Sequence, residues 1–95
     1  MAVADGEQSA RAALTLTSGH PVTAAGTGFA TRRRVRVTLF LEGKLVRRPT
    51  ADGRGRFHAT FPAAIDRCSA WTISASQPGR ATVVLHGPKP ACPPA

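Results

Sequence analysis

Apolar and polar residues alternate in short runs along most of the chain. In ALTLTS, Leu14 and Leu16 point one way while Thr15 and Thr17 point the other, the period of a half-buried strand. Gly19-His20-Pro21 turns the chain, and VTAAGTG resumes the alternation with Val22, Ala24, Gly26 and Gly28 on one side. Small residues along one face let another sheet approach closely. RRRVRVTLFLEG is the strongest run: Val35, Val37, Leu39 and Leu41 form one face, and Arg34, Arg36, Thr38 and Phe40 the other. Glu42-Gly43 then reads as a two-residue hairpin turn into KLVRRP. That register sets Leu41 opposite Lys44, Leu39 opposite Val46 and Thr38 opposite Arg47. Pro49 ends the strand or places it on a sheet edge.

The second half repeats the grammar. Asp52-Gly53 in TADGRGRFHATF signals another hairpin, after which Phe57, Ala59 and Phe61 face inward and His58 and Thr60 outward. AAIDRCSA is a connection with room for one short helical turn. WTISAS alternates through Trp71, Ile73 and Ala75, QPGR fits a type II turn, and ATVVLHG is the last strand. PKPACPPA is too rich in proline to continue a ladder. About seven short strands, a turn signal every ten or so residues and no amphipathic helix predict an all-β fold: an immunoglobulin-like antiparallel two-sheet β-sandwich. The organisation expected is a loose lead-in over 1–10, the sandwich over 11–87 and a proline-rich tail over 88–95.

Ninety-five residues suit one small domain with a thin stability margin. The apolar fraction of 42 % is enough for a core, but much of it is alanine, and the large anchors are few. Such a core gains from a covalent staple. Cys68 and Cys92 lie on either side of the Gln77–Arg80 turn and come out at the same end of that hairpin, offset by about three residues, so the expectation is a disulfide. It would close a loop of roughly 25 residues and contribute about 3–4 kcal/mol. A disulfide implies an oxidising compartment. No run is long enough to span a membrane, and the first residues carry no apolar stretch of the signal-peptide kind. The isolated domain is expected to be monomeric.

The stretches HPVTAAGTGF, VRVTLFLEG, TADGRGRFHATF and WTISAS followed by PGRATVVL together resemble the bacterial immunoglobulin-like repeats of secreted and cell-surface proteins, including the IPT/TIG type. Gly26, Gly28 and Phe29 match the first block of that pattern, Asp52, Gly55 and Phe57 the second, and Gly79 and Ala81 the last. The resemblance covers roughly residues 12–87. It departs at His20-Pro21, where the repeats usually carry Pro-Gly, and in the high arginine content. It implies an extracellular or cell-surface spacer or binding module, and it carries no catalytic residue, because its motifs are turn and core positions.

Enzyme chemistry finds little footing. His20, His58 and His86 fall in a turn, on an outward strand position and at a strand end, with no Ser or Asp partner in the local pattern. Asp52 reads as a turn former. The two cysteines and three histidines lack zinc-like spacing, and no cofactor is expected. A phosphate loop at Gly26-Thr27-Gly28 would need a helix after it, and a strand follows instead. The feature with functional pull is charge. The formal net charge is +8, carried by eleven arginines and two lysines. Arg34 and Arg36 project from one face of the third strand, Arg47 joins them in the hairpin register above, and Phe40 adds an aromatic platform. Arg32 and Arg33 precede them. Like charges on adjacent strands repel unless an anion screens them. The candidate anion-binding set is therefore Arg34, Arg36, Arg47 and Phe40, and the candidate partners are an acidic polysaccharide, nucleic acid, a phospholipid head group or another protein. The competing readings are a plain spacer with a solvated arginine face, and a small-ligand carrier resembling the bacterial chromophore-carrying apoproteins, which would need a deep apolar cleft.

Overall fold

A computed structural model describes residues 12–66 and 68–87. Seven strands form two antiparallel sheets: β1 (Ala13–Gly19), β2 (Val22–Thr27), β3 (Arg36–Phe40), β4 (Lys44–Arg47), β5 (Phe57–Phe61), β6 (Thr72–Ser76) and β7 (Val83–His86). One sheet has the order β1-β2-β5, the other β4-β3-β6-β7. The described residues thus form an immunoglobulin-like two-sheet sandwich, with the fourth strand on the edge of the second sheet. The edges β1 and β7 approach each other on one flank, and β4 and β5 on the other.

Alternation decides which side chains enter the space between the sheets. Val22 and Ala24 of β2, and Phe57, Ala59 and Phe61 of β5, are buried from one side; Val37, Leu39, Ile73 and Ala75 are buried from the other. Phe29, between β2 and β3, meets Phe57 edge to face, with ring centroids 4.9 Å apart at 74°. Gly26 sits directly opposite Phe57 in the β2–β5 ladder, and the phenyl ring covers it so closely that a Cβ there would collide with the ring. Gly28 takes φ 76, a left-handed conformation that glycine reaches without a steric penalty. The two glycines of Gly26-Thr27-Gly28 therefore do different work: one admits an aromatic ring, the other turns the chain so that Phe29 enters the core.

Two turns depart from expectation. Leu41, Glu42 and Gly43 form a three-residue loop, with Phe40 paired to Lys44, Leu39 to Leu45, Thr38 to Val46 and Val37 to Arg47. The predicted two-residue turn is thus off by one residue: Glu42 itself adopts φ 50, Gly43 lies at φ 140, and Leu41 leaves the ladder. The Asp52-Gly53 region turns the chain without closing a hairpin, because β4 and β5 belong to different sheets. AAIDRCSA is a connection, as expected: the Ser69 N–H donates to the Asp66 carbonyl at 3.0 Å, and the Asp66 carboxylate accepts from the Cys68 N–H at 2.8 Å and the Ser69 hydroxyl at 3.1 Å. The QPGR turn is as expected: the Arg80 N–H donates to the Gln77 carbonyl at 3.1 Å, and Gly79 has φ 76.

The described residues contain no free cysteine. The expected Cys68–Cys92 bridge depends on Cys92, which lies outside the described residues, as do the lead-in and the proline-rich tail. No helix among the described residues is long and apolar enough to cross a membrane.

Candidate anion-binding face

The register of β3 against β4 determines which basic residues meet. It continues beyond the ladder: the Val35 N–H donates to the Pro49 carbonyl at 2.8 Å, the Ala51 N–H donates to the Arg33 carbonyl at 2.9 Å, and Arg34 and Thr50 form an isolated bridge. Arg36 consequently stands opposite Arg48. With Val35, Val37 and Leu39 buried inward, Arg34, Arg36 and Arg48 all project from the outer face of the second sheet, and all three are exposed.

Arg47 does not join them, and this corrects the hairpin reading. A one-residue change of register moves a side chain to the opposite face of its sheet. Arg47 pairs with Val37 and so leans toward the gap between the sheets. Its guanidinium carbon lies 5.7 Å from the centroid of the Phe61 ring, and Nε donates to the Thr60 carbonyl of β5 at 3.2 Å. Thr60 belongs to an edge strand of the first sheet, so Arg47 ties the β4 and β5 edges together and covers a free carbonyl. The sequence reading missed Arg48, although one more residue in the turn is all that separates the two outcomes.

The three arginines border an open cleft of about 390 Å³. Its opposite wall is Ser76, Gln77 and Pro78, with Val35 behind. None of the three arginines has an ion-pair partner among the described residues. Of the described carboxylates, Glu42 lies in the β3–β4 loop, Asp52 in the loop before β5 and Asp66 in the connection before β6. Gln77 is 4 % exposed. Its Oε1 accepts from the Ala30 N–H at 2.8 Å and its Nε2 donates to the Ala30 carbonyl at 3.0 Å, so the side chain mimics one rung of a β-ladder. That clamp holds the 28–34 segment, from which Arg34 emerges, against the turn that forms the other wall.

Along the strands away from the cleft, the outer side of the sheet carries hydroxyl side chains, Thr38 buried and Ser74 and Thr72 half-buried. Thr38 lies opposite Ser74, Phe40 opposite Thr72, Ser74 opposite Val84, and Thr72 opposite His86, with Thr72 Oγ1 and His86 Nδ1 3.4 Å apart. Phe40 is 44 % and Val84 47 % exposed, the two large apolar side chains on the described surface. Lys44, paired with Phe40, adds a fourth cation to this face. Arg32 stands apart in a left-handed conformation (φ 59), its guanidinium beside Gly53.

Asp52 is a turn former. Its Oδ1 accepts from the Arg54 N–H at 2.8 Å and the Arg56 N–H at 3.0 Å. The backbone donor of Arg56 first and that of Arg54 second, joined by the two guanidinium charges, outweigh desolvation and hold the carboxyl below the usual aspartate range. His20, His58 and His86 lie respectively in the β1–β2 turn, on the outer face of the first sheet and on the outer face of the second. No group of three His, Cys, Asp or Glu side chains among the described residues is placed to hold a metal ion. In comparison with known proteins, the chain matches no family model, and no curated protein or solved structure is detectably similar to it.

Proposed function

We infer that the chain is a non-catalytic, immunoglobulin-like interaction module of a secreted or cell-surface protein, of the kind the IPT/TIG-type resemblance implies, and that its binding face is the outer surface of the β4-β3-β6-β7 sheet. One observation carries the reading. Arg36 and Arg48 oppose each other on neighbouring strands with Arg34 beside them, and no described carboxylate is paired with any of the three. Like charges in cross-strand positions are destabilising, and an anionic partner offsets that cost. A plain spacer gives no reason for the arrangement. The small-ligand carrier draws no support from this cleft, which is open and basic.

The test is binding of the whole chain to immobilised acidic polymers over a salt series. Binding that weakens steeply as salt screens the arginines supports the reading. Failure to retain any acidic polymer at physiological salt leaves only the spacing role. The extracellular assignment is tested separately by counting thiols in denatured, unreduced protein: two reactive thiols would remove the Cys68–Cys92 bridge and with it the argument for an oxidising compartment.

A further inference from the structure

We propose that the cleft of Arg34, Arg36 and Arg48 is a subsite for the acidic group of a linear acidic polysaccharide, whose sugar chain runs from there across the hydroxyl-bearing face toward Phe40. The proposal rests on the anion-binding reading above and names the class of partner. Three features point to a sugar polymer. The first is the charge: three arginines line one open cleft, and a guanidinium binds a carboxylate or an ester oxyanion with two parallel hydrogen bonds.

The second is the chemistry of the surface next to it. Ser76 borders the cleft, and Ser74 and Thr72 follow on β6, all half-buried, with their hydroxyls on the outer side by strand alternation. Sugar rings present hydroxyl groups that pair with such donors and acceptors. The third is the aromatic count. Single-stranded nucleic acid is held by aromatic side chains that stack successive bases. Among the described residues this face offers one phenyl ring, Phe40, four residues along β3 from Arg36, or about 13 Å at strand rise, with the His86 imidazole two strands across from it. A single half-exposed ring at that distance from the charged end suits one sugar ring of a chain whose acidic group is held at the other end. Lys44 beside Phe40 gives a second, weaker point of charge.

The experiment is a ¹⁵N NMR titration of the full chain at physiological salt with a short uronic-acid oligomer, an oligonucleotide of equal formal charge and sodium sulfate. The expected result is uronate-induced shifts running from Arg34, Arg36, Arg48 and Ser76 to Phe40, with sulfate moving only the cleft end. In the Arg36→Ala/Arg48→Ala double variant the uronate Kd rises at least about tenfold, as loss of charge-assisted contacts predicts. Arg36→Lys keeps the charge but not the paired bonds, and loses part of that affinity. Arg54→Ala, in the loop before β5 and outside the residues that line the cleft, leaves the Kd within about twofold, and dispersed spectra of every variant show that each is folded. Tighter binding of the oligonucleotide than of the uronate overturns the choice of polysaccharide while sparing the basic face. Uronate binding unaffected by the double variant overturns the subsite and spares the interaction role. No shift with any anion overturns both.

Discussion

Replacing Gln77 by methionine removes two hydrogen bonds while nearly conserving side-chain volume. Gln77 is 4 % exposed, and its amide meets both polar groups of Ala30 at 2.8 and 3.0 Å. Each bond contributes about 0.5–1.5 kcal/mol net. The larger effect comes from Ala30, whose N–H and C=O lose their partners at a part-buried site, where an unsatisfied group costs about 1–3 kcal/mol. Methionine's thioether is a poor acceptor and no donor. Because water can reach part of the site, we set the combined loss at about 2–3 kcal/mol, near the lower end of these ranges. For a domain of this size, 1 kcal/mol moves Tm by about 4–8 °C, so the expected fall is roughly 10–20 °C. Gln77→Glu keeps the acceptor for the Ala30 N–H but sets a carboxylate against the Ala30 carbonyl, and should cost at least as much at neutral pH. Thermal melts with urea unfolding at an unchanged m-value check this. A Tm within about 2 °C of the parent for Gln77→Met would refute the clamp as a source of stability.

Gly26→Ala drives a methyl group into the Phe57 ring and should cost about 1–3 kcal/mol by overpacking; adding Phe57→Leu should recover part of the loss, visible as coupling in a double-mutant cycle. Arg47→Ala loses the contact with Phe61 and the bond to Thr60 at an exposed site, a fall of about 1 kcal/mol, whereas Arg36→Ala relieves like-charge repulsion and should leave Tm unchanged or slightly raised at low salt. The lowered Asp52 pKa means that the folded chain binds this proton more weakly than the unfolded chain does. Its stabilising effect is therefore present above the unfolded value of about 4 and is lost as pH falls through the folded value. Melts of Asp52→Asn should lack that acid-side component, and an unchanged acid profile would refute the role of the turn.

Local signals carried the architecture. Period-two runs marked all seven strands and chose the buried residues of β2, β5 and β6, because each run had one apolar and one polar face. The Pro-Gly of QPGR named its turn type through backbone constraints on those two residues alone. What the local pattern left out was partner choice over long distances. Asp52 was legible as a turn former, but nothing in TADGRGRF says whether the following strand returns to β4 or crosses to β2. Gln77 was legible as the first residue of a turn, yet its side-chain partner Ala30 lies 47 positions away in sequence.

The hairpin after β3 shows how such a limit reaches function. Leu41 continues the alternation of Val35, Val37 and Leu39, and Glu42-Gly43 looks like a two-residue turn, so the local evidence favours ending the ladder at Leu41. The deciding fact is that Glu42, a residue with a Cβ, takes a left-handed conformation and admits Leu41 into the loop. Everything on β4 then shifts by one. Arg47 passes from the outer face to the space beside Phe61 and becomes a structural tie between the two sheets. Arg48 takes its place opposite Arg36 and beside Arg34, next to the Ser76 and Gln77 wall of the cleft. The two arginines are neighbours in sequence and alike in chemistry, yet the register sets one between the two sheets beside Phe61 and the other in the cleft proposed to bind the anion. The same substitution at the two positions therefore separates the readings: Arg47→Ala should lower Tm and leave anion binding nearly intact, and Arg48→Ala should do the reverse. Loss of anion affinity at Arg47 with none at Arg48 would return the hairpin to its two-residue form and move the binding face with it.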